Sequence, residues 1–235
     1  MASAVRERCD VAVVGAGMAG ASLAYELSQR GLDVVVIERE PQPGYHSTGR
    51  SAAFFAPWYG NPTVRAVSRV SRAFFERPPE GFAAHPLATP RACVLYAGSA
   101  QRTAFERLCA DVSAEVSVQV LDGADRVRAL LPMLRPQAAE RAFVDRSSFD
   151  IDVHALLHGY LRAARARGVR VATGFELESA QRDAGRWRLA GRGGEVSAAT
   201  VAVCAGAWAD SLASLFGAEP LGIEPRRRTV IVFQA

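Results

Sequence analysis

The 235-residue sequence is 49% apolar and 22% charged, enough to bury the core of one large or two small globular domains. No run approaches the roughly 20 apolar residues of a membrane-spanning helix. MASAVRERCDV at the N-terminus has no apolar segment before a small-residue cleavage site, so no secretory signal is expected and the cytoplasm is the default location. The net charge of +4 comes from 28 basic residues, all arginine, scattered among 24 acids, which argues against a nucleic-acid surface. Cys9, Cys93, Cys109 and Cys204 lack metal-type spacing and read as small core residues, so no metal is expected.

The first elements are the most informative. Asp10–Val14 is an apolar run that predicts a strand. Gly15-Ala16-Gly17-Met18-Ala19-Gly20 follows, then a helical segment to Arg30, a turn at Gly31 and a second strand over Val34–Ile37, closed by Glu38. In this order Gly15 makes the strand-to-helix turn, Gly17 admits a pyrophosphate to the backbone, and Gly20 lets the helix approach the strand. Amides at the helix N-terminus, with its dipole, then hold phosphates without a lysine. Glu38, 18 residues past Gly20, is placed to accept from both ribose hydroxyls and to repel a 2′-phosphate. A glycine-rich structural turn is the competing reading. The flanking strand, helix, strand and terminal acid favour a dinucleotide.

Residues 39–44 contain two prolines and a glycine and predict a loop. Tyr45 to Phe55 is small and hydroxyl-bearing, with Arg50 among apolar neighbours. That composition suits backbone pressed against a large ligand, with a serine-rich helix cap as the alternative. An aromatic loop over 55–62 leads into a helix over 63–77, with Val64, Val67, Val70, Phe74 and Phe75 facing inward and arginines outside. Pro78-Pro79-Glu80-Gly81 marks a boundary. Strands over 91–97 and 116–121 and helices over 99–109 and 123–131 then predict a second, mixed domain.

Residues 150–168 predict a helix capped by Asp150 or Asp152, with arginines at its C-terminal end and Gly168 as its stop. A strand over 169–173 and a hairpin over 176–182 and 187–190 follow, then a turn over 191–194 and a strand over 195–204. Thr200 to Asp210 reads as a buried strand ending in small residues and then a helix start, a second place where backbone can approach the dinucleotide. A last strand is expected over 229–233. Strands alternating with helices imply a parallel sheet with its ligand beyond the carboxyl ends of the strands.

Six segments together carry a resemblance: GAGMAG, EREPQPGYHSTGRSAA, SRAFFERPPEGF, DIDVHALLHGYLR, AGAWAD and PLGIEPRRRT. Over essentially its whole length the chain resembles the D-amino-acid-oxidase-like family of FAD-dependent oxidoreductases, and within it the D-arginine dehydrogenases. The resemblance implies an α/β fold: a Rossmann-like FAD-binding domain over 1–82 and 147–218, and a mixed-sheet α+β substrate domain over 83–146 and 219–235. It implies FAD held by Gly15, Gly17, Ala19, Gly20, Glu38 and Arg39, and by the 47–54 stretch, Ser47, Thr48, Gly49, Arg50, Ser51, Ala52, Ala53 and Phe54. Leu177 would contact the adenine, and Ala205, Gly206 and Trp208 would border the cofactor. Tyr59 matches a lid tyrosine over the substrate carboxylate, and Arg228 an arginine that grips it bidentately. Read alone, these two would be a packed aromatic and a surface arginine.

Two departures bear on substrate. Phe54 stands where D-arginine dehydrogenases have a histidine, and Cys93 where they have a glutamate that receives the basic side chain. Without that carboxylate a neutral substrate side chain is expected. Cys93 as a reactive thiol or flavin attachment point is a minor alternative. Family members also continue beyond this length, so the chain looks like their N-terminal part. The remainder would supply a second carboxylate-binding arginine, another tyrosine and a glycine-rich segment near the flavin. The expected activity is FAD-dependent oxidation of the Cα–N bond of a D-amino acid to the imino and then the keto acid. Open alternatives are oxidation of a 2-hydroxy acid or an N-methyl amino acid, and a non-catalytic FAD-binding fragment or half of a two-chain enzyme. The expected partners are a small amino acid and an electron acceptor or completing chain. No residue is assigned as catalytic; His46 is a candidate base, while His85, His154 and His158 read as structural or exposed.

Overall fold

The computed structural model describes residues 5–227 and 229–231. In chain order the strands are β1 (Val5–Val14), β2 (Val34–Glu38), β3 (Phe54–Phe55), β4 (Ala88–Pro90), β5 (Cys93–Ala97), β6 (Gln119–Asp122), β7 (Arg141–Asp145), β8 (Phe149–Ile151), β9 (Arg170–Thr173), β10 (Glu176–Asp183), β11 (Arg186–Arg192) and β12 (Gly194–Val203). The helices are α1 (Met18–Gln29), α2 (Pro62–Glu76), α3 (Arg102–Ser113), α4 (Ala124–Leu130), α5 (Val153–Arg165) and α6 (Ala209–Ala213). The chain forms two compact units. The first holds residues 1–52, 81–84 and 153–235, and the second residues 53–80 and 85–152. These divisions differ from the expected boundaries because β3 pairs with β8, drawing the chain from residue 53 onward into the second unit.

The first unit is built on a six-stranded sheet of order β10-β11-β12-β1-β2-β9. Its core β12-β1-β2-β9 is parallel, and the β10–β11 hairpin extends it antiparallel. A parallel strand is covered on both faces and so reads as an unbroken apolar run. Val34–Ile37 does, and all four residues are buried. One face of the sheet packs Ala12, Val14, Ile37, Phe175, Leu189 and Val196 together. Helices α1 and α5 meet through Ala21, Leu157 and Leu161. Strand β1 begins five residues earlier than its apolar run predicts, because β12 supplies a parallel partner back to Gly194 opposite Val5.

The second unit has two antiparallel three-stranded sheets, β3-β8-β4 and β5-β7-β6. Central strand β7, which no pattern in the sequence announced, places fully buried Phe143 against Trp58 at a ring distance of 5.0 Å. Phe55 stacks on Phe149 at 4.3 Å, with Phe75 edge-on to both.

Several expectations are corrected. Helix α2 carries Phe75 inward, but Val64, Val67 and Val70 are exposed, Val70 by 82%. The buried face instead takes Arg65, whose guanidinium donates to the Gly60 carbonyl at 2.9 Å and to Glu115 at 3.0 Å. Arg69 also pairs with Glu115. A charge pair closing over 50 residues has therefore rotated the helix away from its apolar stripe. Asp150 does not cap α5, because it lies in β8 opposite Phe54 and Thr89. The turn expected over 191–194 is present as the tight hairpin connection between β11 and β12, with Gly191 opposite Gly194. Residues 229–231 are in no strand, none of the strands among the described residues pairs with them, and Val230 and Ile231 are exposed. Residues 232 and 233 lie outside the described residues. Among the described residues no helix is long and apolar enough to cross a membrane.

Candidate cofactor site

At the carboxyl ends of β1, β2 and β12 the first unit opens a cleft of about 610 Å³, within the range of small-molecule sites. Its geometry follows from the glycine turn. Gly15 has φ +106°, and a Cβ there would stand 2.6 Å from the Cys204 carbonyl. A Cβ on Gly20 would stand 1.8 Å from the Gly15 carbonyl, so α1 can start only where no side chain intervenes. The Gly15 amide donates to the Ile37 carbonyl at 2.8 Å, and the Cys204 amide to the Val14 carbonyl at 2.8 Å. The ends of three strands are thereby brought to one point.

Glu38 has a role in this turn that its spacing alone did not reveal. One carboxylate oxygen accepts the Ala16 amide at 2.7 Å and the other the Glu40 amide at 2.9 Å. Each oxygen retains further lone pairs for a ribose hydroxyl. Thr48 accepts the Met18 amide at 3.0 Å and so takes one of the donors that α1 leaves open. The amides of Gly17 and Ala19 border the cleft and have no acceptor among the described residues. No acid stands in the first turn of α1. Two free donors at a helix N-terminus, with no competing carboxylate, suit an anionic phosphate.

The cleft brings together Gly15, Gly17, Ala19, Glu38, Arg39, Ser47, Thr48, Leu177, Ala205, Gly206 and Trp208 of the expected set. Gly20 lies behind it as the packing contact already described. Gly49 turns back, its amide donating to the Gly44 carbonyl at 2.7 Å. Arg50 stacks over the Tyr45 ring at 5.1 Å, and like Ser51 and Ala52 it does not border the cleft. Ala53 and Phe54 belong to the second unit.

At one rim Trp208 lies against the Arg39 guanidinium, 4.5 Å above its ring, and against the His46 ring at 4.5 Å, and Arg39 and His46 themselves meet at 3.3 Å. His46 Nε2 lies 2.8 Å from Glu40, and this contact, with Arg39, holds the Glu40 carboxyl below its usual value. His46 is thus on the cleft but already engaged. His154 and His158 are exposed neighbours on α5 with rings 4.2 Å apart.

Sequence reasoning left Phe175, Leu221 and Ile223 without a role, yet all three line the cleft. Phe175 sits between two strands as a single aromatic. Leu221 and Ile223 flank Gly222 in a segment that pairs with no strand among the described residues.

The expected substrate residues fall in the second unit, except Arg228, which lies outside the described residues. Tyr59 is 59% exposed beside Trp58. Phe54 lies under the Arg91 guanidinium, which also binds Asp150. Cys93 pairs across β5 and β7 with Asp145. Burial, then the Asp145 charge, pushes the Cys93 thiol up. Asp145 itself is fully buried and accepts from the Ser147 amide at 2.8 Å, the Ser147 hydroxyl at 2.6 Å and the Ser148 hydroxyl.

Comparison with known proteins gives the arrangement a family. A model described as "FAD dependent oxidoreductase" matches residues 10–235. A 47-residue segment is 45% identical to the tRNA 5-methylaminomethyl-2-thiouridine biosynthesis bifunctional protein MnmC of Magnetococcus marinus, covering 20% of this chain and 7% of that protein. A 52-residue segment is 40% identical to a D-amino acid dehydrogenase of Rhodopseudomonas palustris, covering 22% and 12%. The fold is similar to that of glycine oxidase from Geobacillus kaustophilus, with TM-score 0.78 and 20% identity over 90% of this chain and 59% of that one. It is also similar to L-proline dehydrogenase from P. horikoshii, with TM-score 0.76 and 17% identity over 91% and 57%. The chain therefore spans little more than half the length of these structures. With the glycine turn, the 47–48 wall and the 204–208 wall meeting in one cleft, and a family match over nearly every residue, the chain belongs to the FAD-dependent oxidoreductases.

Proposed function

We propose that the cleft of the first unit binds FAD and that the protein oxidises the Cα–N bond of an amino acid to an imino acid, which water converts to the keto acid and ammonia. The observation that supports this most directly is the pair of unpartnered amides of Gly17 and Ala19 beside Glu38 at the strand ends. Gly17 and Ala19 would hold the pyrophosphate, Glu38 the ribose, and Ala205, Gly206 and Trp208 the opposite wall. FAD, when bound, supplies the hydride acceptor, so the protein's task is to bind and orient.

On the substrate side we assign Tyr59 and Arg228 to the carboxylate and Cys93 and Phe54 to the side chain. The reading of a neutral substrate side chain is supported by the surroundings of Cys93. Its own thiol is pushed up by burial and stays uncharged at neutral pH. The carboxylate opposite, Asp145, is fully buried and engaged by Ser147 and Ser148, so it is not presented to a cationic side chain. The 40% identity to a D-amino acid dehydrogenase supports the D configuration, although it covers only 52 residues.

The test is anaerobic. The purified chain is loaded with FAD and its visible spectrum followed on adding neutral D-amino acids, D-arginine, glycine, sarcosine, L-amino acids and 2-hydroxy acids in turn. Bleaching by neutral D-amino acids is the expected outcome. Bleaching by D-arginine alone overturns the argument from Cys93, and FAD uptake without bleaching by any member leaves a binding fragment.

A further inference from the structure

Beyond α6 and the short 3-10 turn over Ser214–Phe216, the connector carries no regular structure, yet it is held at one point. Asp210 Oδ1 accepts the Leu221 amide at 2.9 Å and Oδ2 accepts the Ile223 amide at 2.6 Å. One carboxylate thus spans three consecutive residues of an otherwise ladderless segment. The amides of Ile223, then Leu221, hold the carboxyl below its usual value, with a smaller contribution from Gly222. These are charge-assisted bonds, among the stronger that a loop can make.

The grip sets the direction of two side chains. Gly222 has φ +76°, which turns the chain between its neighbours, and Leu221 and Ile223 both border the large cleft. Leu221 also borders a second hollow, of about 330 Å³, lined by Trp187, Phe216 and Val201. With Val203 and Ala209 it borders both spaces, and it remains 83% exposed. An apolar side chain held out at a cleft edge by a carboxylate on the backbone costs hydration unless something covers it.

We propose that Asp210 is a positioning residue for cofactor binding: it holds the 219–223 connector in place so that Leu221 and Ile223 close one side of the cleft over the bound FAD. The inference rests on the cofactor reading above. Asp210 itself touches neither cofactor nor substrate; it acts through the backbone of the connector. Its removal frees the connector, so that only a fraction of molecules present the wall and the apparent affinity falls by that fraction.

The test uses the whole 235-residue chain with two readouts. Without added FAD, limited trypsin digestion followed by mass spectrometry measures cleavage after Arg226 and Arg227, just beyond the held segment. With FAD, quenching of flavin fluorescence gives the dissociation constant. Asp210→Ala is expected to raise cleavage at these two sites about tenfold and to weaken FAD binding about tenfold. Leu221→Ala, at an exposed position that folding does not need, is expected to leave cleavage unchanged and still weaken FAD binding severalfold. Unchanged cleavage in Asp210→Ala overturns the grip. Raised cleavage with unchanged FAD affinity in both variants overturns the wall. A wild-type chain that takes up no FAD overturns the cofactor reading, while the digestion arm still reads the grip separately.

Discussion

At the scale of single residues, the site depends on what is missing as much as on what is present. Gly20 has no side chain where one would meet the Gly15 carbonyl at 1.8 Å, a backbone atom that cannot give way. Gly20→Ala should therefore destabilise the first unit by about 3 kcal/mol or more, measured as a fall in the denaturant midpoint. Glu38 shows the reverse case, a charge made useful by geometry. Its oxygens tie the amides of Ala16 and Glu40, so the acid that would bind ribose also builds the turn that would bind phosphate. Its position was legible from spacing, but its second task required the coordinates.

At the scale of elements, pattern was a good guide wherever one sheet or helix face decides burial. Strand β2 was readable because both of its faces are covered. Helix α2 was legible in extent but not in orientation, because Arg65 and Glu115 are far apart in sequence and their pairing outweighs the valine stripe. Val70→Ser should leave the midpoint within about 0.5 kcal/mol of wild type, as expected for an exposed position. Phe143→Ala should cost about 3–5 kcal/mol, since its ring is fully buried against Trp58 and Phe105. The same unfolding measurement on both variants checks the pair. Short strands such as β3, β4 and β8 have no period long enough to read, and exist because they pair with one another.

At the scale of the whole molecule, the first unit is interrupted twice by the second, and yet its cleft is built entirely from its own residues. Cofactor binding should therefore stabilise that unit directly. FAD at a hundredfold excess over its dissociation constant should add about 2.7 kcal/mol to its unfolding free energy. A thermal melt with and without FAD reads this as a shift of several degrees. No shift, together with an unchanged flavin spectrum, would remove the cofactor assignment.

The sequence by itself determined the family, through six segments read together, and the strand-turn-helix-strand start, through local spacing and glycines with one steric purpose each; it also named most of the residues that line the cleft. The tertiary structure decided what depends on partners distant in the chain. It turned Arg65 inward, made β7 the centre of a sheet, engaged His46 with Glu40 and Trp208, and set Leu221 and Ile223 on the cleft through Asp210. No periodicity encodes a carboxylate meeting two amides eleven and thirteen residues away, and that distance is where the reading of residues gave way to geometry.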